Sequence, residues 1–160
     1  MKKLACVALM ICLAFSIGCE TARKSNVKYS ASTYSANNRS LMIGKWLGEM
    51  VNDQGEQQKW LVTRSSDGTY KVQFQTSKPG AQYVREQIEV GMWGVSGPIY
   101  FTITKGALKG DQFLPADPED PLYYDAYEII YLDEDTMKYR HIDMDVTFQV
   151  HKVAEDFELP

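Results

Sequence analysis

Apolar and polar residues alternate through most of the chain beyond residue 40, most clearly in Tyr70-Lys71-Val72-Gln73-Phe74-Gln75. A period of two marks a strand with one buried and one wet face. Trp60-Leu61-Val62-Thr63 precedes this run, and Asp67-Gly68 between the two predicts a tight type I′ hairpin, because that turn needs positive φ and glycine accepts it freely. The same pattern places strands near residues 43–52, 57–64, 69–76, 82–95, 99–105, 123–132, 136–143 and 146–153. Residues 53–56, Gly97-Pro98 and 133–135 mark further turns. Helical periodicity is absent after Ile17. Short strands joined by tight turns predict an all-β fold, a small eight-stranded antiparallel up-and-down β-barrel over residues 41–153, with a C-terminal tail at 154–160. Two connections are longer, 77–81 and 106–121. Long connections in compact domains are commonly functional, so the second is the candidate lid.

Alternation also assigns faces. Trp46, Trp60, Tyr70, Phe74, Tyr127, Tyr139 and Phe148 fall on the inward face and are the candidate ligand-binding residues. Side chains alone can fill an eight-stranded barrel. Inward phenol and indole groups in such number each want a hydrogen-bond partner, however, and a cavity with ligand or ordered water meets that demand more easily than a dry core. Both packings stay open on the pattern alone. The strand at 82–95 is ambiguous: Tyr83, Arg85, Gln87, Glu89 and Trp93 alternate with Val84, Glu86, Ile88, Val90 and Met92, and a bulge at Gly91 would switch the faces midway.

Ahead of the strands the composition changes twice. Residues 1–18 read as a signal peptide, with the basic start Met1-Lys2-Lys3 and an apolar run from Leu4 to Ile17. That run is shorter than the roughly 20 residues a membrane-spanning helix needs. Residues 19–40 are rich in Ser, Thr, Asn and Ala, which cannot bury enough apolar surface to offset the entropy of ordering, and they are expected to form a flexible tether. Four basic residues against one acidic make residues 20–40 positive, whereas residues 41–160 carry 11 basic and 20 acidic residues. A basic tether suits anionic lipid head groups, or simply keeps the segment soluble; an acidic domain argues against a nucleic-acid partner.

The leader ends in Ser16-Ile17-Gly18-Cys19, which resembles the lipobox of bacterial lipoproteins, although leucine is usual where Ser16 stands. The resemblance implies cleavage before Cys19, lipid on its sulfur and a membrane as partner through that anchor. Glu20 follows the cysteine, where aspartate would suggest inner-membrane retention. The implied location is the cell envelope, at the outer membrane facing the periplasm if the source is Gram-negative. Cys6 and Cys12 lie in the leader, so Cys19 has no disulfide partner in the mature chain, and a lipid would cap an otherwise unpaired thiol. An ordinary secretory signal is the alternative.

Gly44-Lys45-Trp46 at the head of eight strand-like segments resembles the lipocalins and the wider calycin group. In that family the tryptophan plugs the closed end of the barrel and a basic residue of the last strand packs across it. Trp46 and Lys152 are the matching positions, with lysine where arginine is usual. The lipocalin Thr-Asp-Tyr motif is missing, and the short strands fit a compact barrel. Gly44-x-Trp46-x-Gly48 also looks like the opening of nitrobindin-type haem barrels, in which a late-strand histidine binds the iron, so His141 and His151 need weighing. A lone wall histidine is more often hydrogen-bonded than a ligand, and alternation points His151 outward; no cofactor is expected. The acidic groups at 117–120, 133–135 and 143–145 lack the spacing of a calcium loop and read as solvated turns. With no Gly-x-Ser-x-Gly and no cysteine beyond the anchor, catalysis is not expected.

The expectation is thus a membrane-tethered, non-enzymatic lipoprotein whose lipocalin-like barrel binds a small apolar or amphipathic ligand, the anchor placing its mouth near the membrane. The alternative is a filled barrel acting as an envelope-assembly or inhibitor-type interaction module. Replacing Cys19 by serine should abolish incorporation of a palmitate analogue in metabolic labelling; unchanged labelling would overturn the lipobox assignment.

Overall fold

The computed structural model describes residues 31–80 and 84–160, with side chains from residue 35 onward. The expected signal peptide, Cys19 and the first part of the expected tether lie outside the described residues. A helix, α1 (Ala31–Met42), leads into β1 (Gly44–Val51), β2 (Gln57–Arg64), β3 (Thr69–Ser77), β4 (Val84–Ser96), β5 (Ile99–Lys109), β6 (Gln112–Pro115), β7 (Tyr124–Leu132), β8 (Thr136–His141) and β9 (Thr147–Val153). All pairings are antiparallel. β1 pairs with both β2 and β9, and β4 pairs with β5, so β1–β5 and β7–β9 close into an eight-stranded up-and-down barrel. Apart from β5, the strand limits fall within two residues of those expected.

Four local features differ from the pattern-based reading. Residues 31–42 form a helix, where the tether was expected to run to Ser40. Its sequence has too little apolar periodicity to announce it, and contacts with the barrel hold it: the Gly97 N–H donates to Ser35 Oγ at 2.6 Å, and the Arg39 guanidinium lies 4.6 Å from the Trp93 ring centre and donates to the Ser66 carbonyl at 3.0 Å. The Asp67-Gly68 hairpin is present, but only Gly68 has positive φ, at 90°; it follows a turn closed by Gly68 N–H to Ser65 carbonyl, the three-residue loop with a glycine bulge rather than type I′.

The third difference concerns β4. Its alternation is unbroken, with Tyr70, Val72 and Phe74 facing Gly91, Glu89 and Gln87, so the Arg85 set points inward and the Val84 set outward. The bulge lies across the ladder on β5, where Val90 faces Gly106, Gly91 faces Thr104 and Lys105 is skipped. Beyond it comes the fourth difference: β5 runs on and folds back as β6, with Gly106 opposite Pro115. Most of the expected lid is therefore a hydrogen-bonded hairpin. β6 can occupy that edge because β7 joins β5 only from Tyr124, opposite Ile103.

Bulk is concentrated at one end of the barrel. Met42, Trp46, Met137 and Val150 are fully buried there, beneath α1. Trp46 Nε1 donates to the Met42 carbonyl at 3.0 Å, and Lys152 Nζ lies 5.3 Å from the indole centre while donating to the Leu41 carbonyl at 3.2 Å. Outside the wall the C-terminal tail crosses β1 to β3: Lys45 Nζ donates to the Phe157 carbonyl and Gln75 Nε2 to that of Pro160, each at 2.9 Å. Leu61, which alternation turns outward, is only 6 % exposed. Trp46→Ala should cost about 3–5 kcal/mol, the usual loss for a large buried aromatic. Urea unfolding checks this, and a shift below about 1 kcal/mol would show that Trp46 is not the plug.

Candidate functional site

The opposite end is not filled. A cavity of about 390 Å³ occupies the barrel between the plug and the open end, within the range of about 300–1,000 Å³ common for small-molecule sites. One side is aromatic and aliphatic, with Trp60, Val62, Val72, Phe74, Tyr139 and Phe148 on the wall. The rings brace one another: Trp60 meets Phe148 edge-on at 5.8 Å, Tyr127 meets Tyr139 edge-on at 5.2 Å, and Tyr100 stacks on Tyr127 at 5.2 Å. Gly48 makes room for this arrangement, since a β-carbon there would sit 2.1 Å from the Trp60 indole. The ring lies against β1 instead of crossing the lumen.

The other side is polar. Tyr70 and Thr104 share a short hydrogen bond between hydroxyls, and burial pushes the Tyr70 phenol up to about 12. Burial likewise raises Tyr139 to about 12 and raises Tyr127 further, so all three stay neutral donors at physiological pH. Desolvation raises the Glu89 carboxyl above its usual range, favouring its protonated form more than in a solvated glutamate. Toward the plugged end, Arg64 closes β2 with 1 % exposure; its Nε donates to the Tyr100 hydroxyl at 3.2 Å and its guanidinium lies 4.7 Å from the Tyr100 ring centre.

His141 is buried in the wall at 4 % exposure, with both ring nitrogens engaged. Nδ1 accepts from the backbone N–H groups of Asp143 and Met144, each at 3.2 Å, which requires a bare Nδ1 and puts the proton on Nε2, 3.1 Å from Asp125 Oδ1. Thr102 donates to the other Asp125 oxygen at 3.4 Å. This arrangement holds the turn from β8 to β9 and leaves no nitrogen for a haem iron or for proton abstraction. His151 is exposed, beside Thr136 and Gln149. The acidic turns have local work: Asp133 accepts from the N–H groups of Asp135 and Thr136, Asp117 from that of Glu119 and Asp120 from that of Leu122.

Of the candidate ligand residues, Trp60, Tyr70, Phe74, Tyr127, Tyr139 and Phe148 come together on the cavity wall. Trp46 does not; it lies under α1 at the closed end, fully buried and outside the cavity. Alternation missed Arg64, Tyr100, Thr102, Thr104 and Asp125. The signal was available, because Arg64 shares the parity of Trp60 and Val62, and Asp125 that of Tyr127.

Replacing His141 by alanine strands two backbone donors and should cost about 1–3 kcal/mol. Asparagine, whose side-chain oxygen can accept from the same N–H groups, should recover part of it. Urea melts of the two variants check this, and equal stability of alanine and wild type would refute the assigned role. No protein-family model matches the chain, and no curated protein sequence is significantly similar to it.

Proposed function

We propose that this chain is a lipid-anchored protein of the cell envelope whose barrel binds one small amphipathic molecule and does not transform it. The observation that carries the reading is the cavity itself: a closed barrel plugged at one end and hollow at the other, with aromatic surface on one side and hydroxyl, amide and carboxyl groups on the other. Apolar burial supplies affinity for such a molecule, and a few fixed polar groups supply its orientation. Binding is favoured over catalysis because the buried histidine and aspartate are committed to each other and to a turn. The leader and Cys19 support the anchor, and the acidic barrel supports a domain held off anionic lipid. The interaction-module reading draws on exposed apolar residues at the open end, Leu122 at 81 % and Met144 at 60 % exposure. The same residues suit the threshold of a mouth that admits an apolar chain.

Titration of the full chain with the fluorescent fatty acid cis-parinaric acid should show saturable one-to-one binding. Tyr127→Trp, which adds bulk to the cavity wall, should weaken it by about 10-fold or more, whereas Tyr127→Leu keeps most of the apolar volume and should retain more affinity. Absence of saturable binding to parinaric acid and to a panel of neutral lipids and aromatics, with the fold intact, would favour the interaction module.

A further inference from the structure

The groups at the bottom of the cavity point to the chemistry of the ligand. Arg64 is 1 % exposed, and its Nη1 has no hydrogen-bond partner. Among the described residues no carboxylate lies within ion-pair distance of it. Arginine stays protonated, and an uncompensated buried charge is costly, so proteins ordinarily provide a counter-ion. Here the side chain is held by the Tyr100 hydroxyl at Nε and by the Tyr100 ring face, which orient a guanidinium without neutralising it. The two acidic residues of the cavity are otherwise arranged. Asp125 is bonded to His141 and Thr102, and Glu89, on β4, accepts from Gln87 Nε2 at 2.6 Å and makes no ion pair with Arg64.

Resting on the binding reading above, we infer that the ligand carries a carboxylate which enters first and pairs with Arg64 at the bottom of the cavity, its hydrocarbon chain running back along Trp60, Phe74 and Phe148 toward the mouth. The guanidinium fork matches a carboxylate in plane and accounts for the unpaired nitrogen; the Tyr100 hydroxyl, which accepts from Nε, keeps its own proton free to donate to a carboxylate oxygen. A charge is drawn to the bottom of the cavity because a fixed opposite charge waits there. A neutral ester or alcohol of the same length would fill the tube and leave Arg64 as it is.

The test uses 11-(dansylamino)undecanoic acid and its methyl ester, which share one fluorophore and one chain. The full chain should bind the acid about 10-fold or more tightly than the ester at pH 7. Arg64→Gln should bring the acid down to the level of the ester while moving ester affinity by less than about threefold, and Tyr100→Phe should narrow the acid–ester ratio without abolishing it. Equal affinity for acid and ester in the wild type would overturn the carboxylate site and leave the binding cavity standing. An equal loss of both ligands in Arg64→Gln would also overturn it, by making Arg64 part of the wall. No saturable binding of either probe to protein that still unfolds cooperatively in urea would remove the cavity reading and the carboxylate site together. If Arg64→Gln does not fold, the wild-type ratio and Tyr100→Phe decide.

Discussion

Eight strands close into a tube whose interior is about as wide as its own side chains, so where the bulk goes decides whether any space is left. The Trp46 indole sits in the closed end with Met42 above it and Met137 and Val150 beside it, and none of the four exposes any surface. Its N–H is satisfied by the carbonyl of Met42, so the largest ring in the plug leaves no polar group stranded. With the closed end packed this way, stability does not require the other end to be full. Gly48, two residues along β1, continues the division by letting Trp60 lie against the wall.

The hollow end solves a different problem. Tyrosines facing a lumen must keep their hydroxyls paired or wet, and burial, with neighbouring phenols adding to it, drives Tyr70, Tyr127 and Tyr139 away from ionisation. The wall answers with local bonds, Tyr70 to Thr104 and Tyr100 to Arg64, and with edge-on ring contacts that favour the quadrupoles. Asp125 and His141 tie β7 to the turn after β8, and so stiffen the rim.

The strands were legible because each carries a short period-two run ended by turn residues, and the Asp67-Gly68 hairpin sets the register that turns Trp60, Val62 and Tyr70 inward together. Closure was not in any local pattern. It depends on β1 meeting β9, residues about a hundred positions apart, and was inferred from the number of strands and their tight turns, with the likeness of Gly44-Lys45-Trp46 to lipocalin openings beside it. The helix escaped notice because what holds residues 31–42 is the Trp93 face, the Gly97 N–H and the Ser66 carbonyl, partners that exist only after the barrel has formed. Arg64 was passed over for a related reason: a charged residue at the end of a strand ordinarily signals an exit to solvent, and its parity was the only hint that it turns in.

Helix α1 reaches the barrel at the plugged end, where Ser35 meets the β4–β5 turn and Arg39 meets the β2–β3 turn. A chain pulled from its N-terminal side would therefore load the Arg39–Trp93 and Met42–Trp46 contacts, where Met42 and Trp46 are fully buried. The far rim, where the β1–β2 and β8–β9 turns open to solvent, would feel none of that force directly. Mechanically the barrel is a cup whose handle is at its base: a load that enters through α1 reaches the packed end first and leaves the opening undeformed.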